Sequence, residues 1–267
     1  MPADPQPSLR PASTVLLLRD GADGLEVFMV ERHREIESFS GALVFPGGKV
    51  DPGDSDPALR GHVTGADGLA DDVLAFRIAA IREAFEEVGV LLARTEPDGP
   101  LIEGQRLADL DRRYRKPLEL DEITMADLAE AESLQFAVDL LVPFPHWITP
   151  DIVPKRFDTH FFLGPATPAQ LASIAGHDGR EAVDSVWVRP QDALAEADAG
   201  KRTLVFATRM NLEKLGRSDT VAEALTAARA STIVTVTPEV TMTDTGRTLR
   251  IPAEADYGLT EMAIPEG

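Results

Sequence analysis

The clearest pattern of apolar and polar positions lies in residues 71–92. Val73, Phe76, Ile78, Ala80, Ile81, Ala84, Phe85 and Val88 gather on one side of a helix, which predicts a buried face. Glu83, Glu86 and Glu87 fall at i, i+3 and i+4, so three carboxylates share another face. Gly89 then suits the left-handed residue that commonly closes a helix. Like charges at this spacing repel by roughly 0.2–0.5 kcal/mol per pair on an exposed helix. Arg82, four residues before Glu86, or a divalent metal ion would offset that repulsion. Such a stripe standing alone is ordinarily a solvated face, so its meaning depends on what surrounds it.

Alternation and turn residues place the other elements. Residues 13–18 and 25–30 read as strands joined by an Asp- and Gly-rich hairpin connection, and residues 42–45 as a short strand ending at Pro46-Gly47-Gly48. Residues 51–70 carry Asp, Gly and Pro without a sustained period, which predicts an inserted loop with a short helix. Helical patterns follow at 105–115 and 121–132, separated by Pro117, the second capped by Asp121 or Thr124. Strands are expected at 138–142, 156–163 and 183–188, and then a helix with Pro190 in its first turn. Helices at 204–215 and 218–229 and strands near 233–236 and 248–251 complete the pattern. Strands and helices alternate without a regular βαβ period, which points to a mixed α/β fold. Residues 1–12 hold four prolines and read as a flexible arm, 13–230 as the main domain, and 231–267 as a C-terminal extension.

Composition removes several function classes. The net charge is −19, from 45 acidic and 26 basic residues, and such a surface repels nucleic-acid polymers. A small anionic ligand stays compatible where local cations or a metal reverse the field. There are no cysteines, so disulfides and thiolate metal sites are excluded. Five histidines show no repeated spacing, and no zinc site is expected. No membrane span and no secretory signal are evident, so the expected location is cytoplasmic.

The chemistry rests on the turn Phe45-Pro46-Gly47-Gly48-Lys49 read together with the glutamate helix. Glycines let backbone groups approach a metal or a phosphate, and clustered carboxylates offer the hard oxygen donors that Mg2+ or Mn2+ takes. A phosphoryl-transfer site needs both. With these residues in view, the sequence resembles the Nudix hydrolase family. Arg82-Glu83-Ala84-Phe85-Glu86-Glu87-Val88-Gly89-Val90 matches the second half of its motif, with Ala84 in place of a bulky aliphatic residue. The first half is Gly48 with Asp54 where the motif has Glu; residues 55–81 then stand where the motif has seven. A subfamily of coenzyme A diphosphatases, which includes a peroxisomal type, interrupts the motif in a similar way. The likeness to that group extends through Gly41–Gly48, residues 79–92, Trp147-Ile-Thr-Pro and residues 156–163. A shorter signature of other coenzyme A enzymes has Arg where this chain has Glu37, with Arg34 nearby.

The resemblance implies an α/β/α sandwich with a mixed central sheet and additional helices. It implies Mg2+ or Mn2+ on Glu83, Glu86 and Glu87, with the Gly48 carbonyl as a further ligand, Arg82 orienting the carboxylates, and Glu83 the candidate base. The expected partner is a small nucleotide diphosphate, with coenzyme A or an acyl-coenzyme A the leading substrate. ADP-ribose, NADH or a dinucleoside polyphosphate is the alternative. A Nudix-fold ligand sensor without turnover is the alternative of another class, and the complete glutamate set argues against it. Arg32, Arg34, Lys49, Lys155 and Arg156 are candidates for phosphate contacts, or else ordinary surface cations. Glu181 fits either a late-chain ligand or base or an exposed loop acid. His146-Trp147 fits either a stacking platform or core, and His160 a structural position in a strand. The helices within 105–132 suit a lid or the arm of a homodimer.

Overall fold

The computed structural model describes residues 8–31, 41–170, 185–244 and 246–265. Its spine is β1 (Leu9–Gly21). Val15 and Leu17 enter one apolar core while Leu16 and Leu18 enter another, because successive strand side chains point to opposite faces. Four consecutive apolar residues are therefore all buried, as expected for a sheet covered on both sides. β1 begins earlier than the expected arm allows: Leu9 already pairs with Arg156, opening a parallel ladder with β8 (Arg156–Pro165) that runs to Leu18 and Pro165. Residues 1–7 lie outside the described residues.

The other edge of β1 changes partner part-way. Ala12, Ser13 and Thr14 pair antiparallel with Lys49, Gly48 and Gly47 of β4 (Gly47–Lys49). Leu18 to Gly21 pair instead with β2 (Gly24–Glu31). Among the described residues the sheet runs β10 (Thr235–Val236), β7 (Val142–Ile148), β8, β1, β2 and β3 (Leu43–Val44), with β4 on β1 and β9 (Ser185–Val188) on β2; β5 (Ala93–Arg94) and β6 (Gln135–Phe136) pair apart from it. It is mixed in direction. Helix α1 (Asp71–Val88) covers one face, and α5 (Pro190–Asp198), α6 (Phe206–Leu215) and α7 (Val221–Ala230) supply the second core on the other. This is the α/β sandwich expected from the sequence.

Helix α1 closes as its sequence suggests. Gly89 has φ 72°, and its N–H reaches the Ala84 and Phe85 carbonyls. Two details differ from expectation. Val73 is 37% exposed because the first turn projects beyond the core, and Glu83 is buried although it lies on the acidic face.

The segment before α1 contains two short 3-10 turns, Pro52–Ser55 and Pro57–His62, in place of one short helix. Arg60 pins its far end, donating to Asp71 Oδ1 at 2.6 Å and to the Leu69 carbonyl. After α1, α2 (Gly104–Leu110) passes through a π-helical turn, Asp111–Arg115, into α3 (Lys116–Glu119). Pro117 does not separate two helices; it sits in the first turn of α3, where its missing N–H is tolerated. Thr124 caps α4 (Met125–Glu132) through a capping box with Asp127, while Asp121 takes a left-handed backbone.

The strand expected at 138–142 is a 3-10 turn over Val138–Leu140, and the strand proper is β7. Pro143 and Pro145 lie inside it, where the pairing with β8 shifts register between Pro143 and His146. Beyond β10, which joins the main sheet, β11 (Glu239–Thr243), β12 (Gly246–Arg250) and β13 (Glu261–Pro265) form a separate antiparallel sheet. Tyr257, between β12 and β13, ties it to the second core. The Tyr257 hydroxyl accepts from Trp147 Nε1 at 2.8 Å and donates to Asn211 Oδ1 at 3.0 Å. Trp147 is thus core rather than a stacking platform. Tyr257→Phe would strand two buried polar atoms, and it is expected to lower unfolding free energy by about 1–3 kcal/mol in a urea titration. A variant as stable as the wild type would show that this bridge contributes nothing.

Candidate active site around Arg82

The partner change on β1 creates the position of the site. Val15 N–H donates to the Pro46 carbonyl at 3.0 Å, and the next residues enter β4. Gly47 is needed for this approach: a Cβ there would lie 2.5 Å from the Ser13 carbonyl oxygen. A Cβ on Gly48 would overlap the Glu83 carboxylate. The Gly47 N–H donates to Glu87 Oε2 at 3.0 Å. On the β1 side, Ser13 Oγ donates to the Phe76 carbonyl of α1 at 2.7 Å. Strand, glycine turn and helix are thereby locked in one register.

Arg82 stands at the centre. Its Nε and Nη2 donate to the two oxygens of Asp54, both at 3.0 Å, in a fork-to-fork pair. Its Nη1 donates to Glu83 Oε1 and Glu86 Oε2 at 3.0 Å, and Nη2 also reaches the Lys49 carbonyl at 2.7 Å. Asp51 lies 3.5 Å away. One guanidinium therefore organises the chain on both sides of the insertion, and Asp54 occupies the place that the motif gives to Glu. The Asp51 N–H completes the Asp54 carboxylate at 2.8 Å.

The charges do not balance within the cluster. Burial favours neutral carboxyls and pushes Glu83 up to about 7, with Arg82 opposing the rise and Glu87 adding to it. Glu86 is likewise pushed up to about 7 by burial, against Arg82 and with Glu83. Burial also raises Asp54, opposed by the Arg82 fork. Arg82 itself is driven above its ordinary value: burial acts to lower it, and the bond to Asp54 and the nearby glutamates outweigh burial. The pocket is short of positive charge. Its oxygen-rich donor set fits a hard divalent cation.

Arg115 carries no signal in the sequence, because its partners lie 28 and 29 residues away. From the π-helical turn, its Nε and Nη2 donate to the Glu86 and Glu87 carbonyls at 2.7 and 2.8 Å. A cation at these unsatisfied carbonyls also suits the C-terminal end of the helix dipole. Of the candidate phosphate contacts, Lys49 is exposed beside Gly48, and its carbonyl binds Arg82. Lys155 is exposed in the turn before β8, and Arg156 Nε donates to the Thr149 carbonyl. Arg32, Arg34 and Glu181 lie outside the described residues, as does Glu37.

Known proteins place the chain in a family. A family model described as the NUDT19 Nudix domain matches residues 58–205. The chain belongs to the Nudix hydrolase family. The match begins beyond Gly48 and Asp54; the Arg82 fork ties Asp54 to α1, and the Arg82 bond to the Lys49 carbonyl ties the residue after Gly48. A putative nudix hydrolase 7 of Caenorhabditis elegans is 29% identical over 67% of this chain and 51% of its own length. The acyl-coenzyme A diphosphatase NUDT19 of Homo sapiens is 28% identical over 64% of this chain and 55% of its own. The chain thus spans about half the length of these curated relatives. A solved Nudix hydrolase from Alicyclobacillus acidocaldarius superposes with a TM-score of 0.65 at 26% identity, covering 82% of this chain and 96% of that one. Nudix enzymes act on small nucleotide substrates and generally use divalent metal ions. Among the described residues no helix is long and apolar enough to cross a membrane.

Two predictions test this Nudix site. Asp54→Ala removes one partner of a buried ion pair and is expected to cost about 3–5 kcal/mol in urea unfolding, with Asp54→Glu recovering part of the loss. Glu83 and Glu86 also bind protons more tightly folded than unfolded. Their contribution to stability is fully present below the unfolded range of about 4.3–4.5 and is lost as pH rises through about 7. With a chelator present, the melting temperature should therefore fall between about pH 5 and 8. Combining Glu83→Gln with Glu86→Gln should flatten that slope; an unchanged slope would assign it to other groups.

Proposed function

We propose that this chain hydrolyses the diphosphate of coenzyme A or an acyl-coenzyme A to 3',5'-ADP and (acyl-)phosphopantetheine, with Mg2+ or Mn2+. The observation that carries the diphosphatase reading is the Arg82 cluster, which presents glutamates beside a glycine turn in a pocket short of positive charge. The coenzyme A reading is supported by the family model matched and by the acyl-coenzyme A diphosphatase activity for which the human relative is named. The sequence-based bounds of 13–230 for the catalytic domain and 231–267 for a C-terminal extension we widen, so that the domain starts at Leu9 with β1 and takes in β10.

Glu83, Glu86 and Glu87, with the Gly48 carbonyl, would hold the metal. When bound, a divalent ion supplies charge to neutralise diphosphate oxygens and makes a water more acidic. Arg82 acts as a positioning residue, because its donors are committed to Asp54, Glu83, Glu86 and the Lys49 carbonyl. Arg82 holds Glu83 by Oε1, and Oε2 is the atom proposed to take the proton of the attacking water. The water oxygen bonds to one phosphorus as the bridging P–O bond breaks. The Gly47 N–H fixes Glu87, and Arg115 holds the last turn of α1, so the carboxylates keep their spacing. Lys49, Lys155 and Arg156, with Arg32 and Arg34, are the cations proposed for the substrate phosphates, and Glu181 is a further proposed acid.

Incubation with coenzyme A, acetyl-coenzyme A, ADP-ribose, NADH and dinucleoside polyphosphates, with Mg2+ or Mn2+, tests the reading. Release of 3',5'-ADP from the coenzyme A compounds is expected. Turnover of ADP-ribose alone would overturn the substrate, and no turnover of any compound would favour a ligand sensor. Glu87→Gln should lower kcat by about 100-fold or more while leaving thermal stability nearly unchanged. Full activity in that variant would move the chemistry away from α1.

A further inference from the structure

We propose that His146, Asp158 and His160 form a second metal site, of two-histidine, one-carboxylate type, that takes Zn2+ or a similar transition-metal ion. It is not legible in the sequence, because the three residues are brought together across strands rather than by a short spacing. Asp158 and His160 are two apart on β8 and share one face of the sheet, and His146 on β7 lies directly opposite His160. One donor atom from each residue lies within 4.8 Å of the others. His160 Nε2 is 4.0 Å from Asp158 Oδ1, and His146 Nε2 is hydrogen-bonded to that same oxygen.

The surroundings hold these donors in place. His146 Nδ1 is 2.8 Å from the Thr235 hydroxyl on β10. In the hydrogen bond to Asp158 the proton sits on Nε2; moved to Nδ1 and donated to the Thr235 hydroxyl, it leaves the Nε2 lone pair for an ion, with the outer hydrogen bond that metal-bound histidines ordinarily make. The two imidazoles stack at 4.1 Å with 26° between their planes, and Phe76 packs on His160 at 3.9 Å. The stack leaves the rings little freedom to turn away. The three side chains keep between 14% and 32% of their surface exposed, so an ion has a path in and room for a water ligand.

Donor chemistry separates this site from the glutamate cluster. Two imidazoles and one carboxylate suit Zn2+, Fe2+, Ni2+ or Cu2+, whereas all-oxygen sets suit Mg2+ or Mn2+. Phe76, which touches His160, precedes Glu83 by seven residues on α1, or about 10 Å of helix rise. Three protein ligands leave a fourth tetrahedral position open. Binding an ion requires the His146–Asp158 hydrogen bond to open and the gap from His160 to Asp158 to narrow, both within reach of rotation of the Asp158 side chain. Such an ion would clamp β7 to β8, with Thr235 of β10 in the outer shell.

Metal binding by the full chain tests the proposal without using activity. The Glu83→Gln, Glu86→Gln, Glu87→Gln protein, stripped by chelator and dialysed, is titrated with Zn2+, Co2+ and Mg2+. One Zn2+ per chain, a visible Co2+ absorption band of tetrahedral type and no Mg2+ uptake are expected. Adding His146→Ala and His160→Ala should weaken Zn2+ binding by about 100-fold or more. Zn2+ uptake unchanged by the histidine substitutions, or no uptake before them, would overturn the proposal and leave a plain hydrogen-bonded His–Asp pair. The unsubstituted chain gives a second readout that does not depend on the variants folding. Zn2+ should shift the ring resonances of His146 and His160 in its NMR spectrum, and unmoved rings would overturn the site equally.

Discussion

The buried guanidinium of Arg82 is the constraint on which the rest of the site depends. It binds a carboxylate fork from the start of the insertion, two glutamates from its own helix and a carbonyl from the glycine strand. Each of these groups would repel the others or lose hydration without it. With it, they are held at hydrogen-bonding distance in a place where an uncompensated charge costs several kcal/mol. The arrangement is still one cation against several acids. That residual imbalance makes the pocket receptive to a further positive charge, and it distinguishes this helix face from a solvated acidic stripe.

The scaffold contributes by dividing one edge of β1 between two partners. Where β4 ends and β2 has yet to begin, the glycine turn lies against the helix and offers a backbone N–H to Glu87. The carboxylates are then fixed from two directions, by the turn in front and by Arg115 behind. A helix end held only by its own hydrogen bonds would fray.

What the sequence made legible follows from how local each signal is. The helix period, the closing Gly89 and the Pro190 helix start depend on a few neighbouring residues, and all appear as expected. The strand at β7 was misplaced because its prolines read locally as breakers, whereas a register shift accommodates them in the sheet. Glu83 reads as exposed from its neighbours alone, and it is covered by a turn more than thirty residues earlier in the chain. Asp54 could be aligned with the motif, but its pairing with Arg82 is a long-range fact. The histidine pair across β7 and β8 is of the same kind: ladder register determines it, and no spacing announces it.

The pinned ends of the insertion have a consequence for how such an enzyme can diverge. Asp54 is fastened to Arg82, and Arg60 and its bonds to Asp71 and Leu69 fasten the approach to the helix. Between fixed ends, chain length is cheap: each doubling of a connecting loop costs only about 0.6 kcal/mol of closure entropy. That is less than the Asp54–Arg82 pair would lose if either member were removed. The segment is therefore free to lengthen, shorten or acquire new surface while the chemistry stays intact. A family signature broken in the middle of its text is, in three dimensions, unbroken.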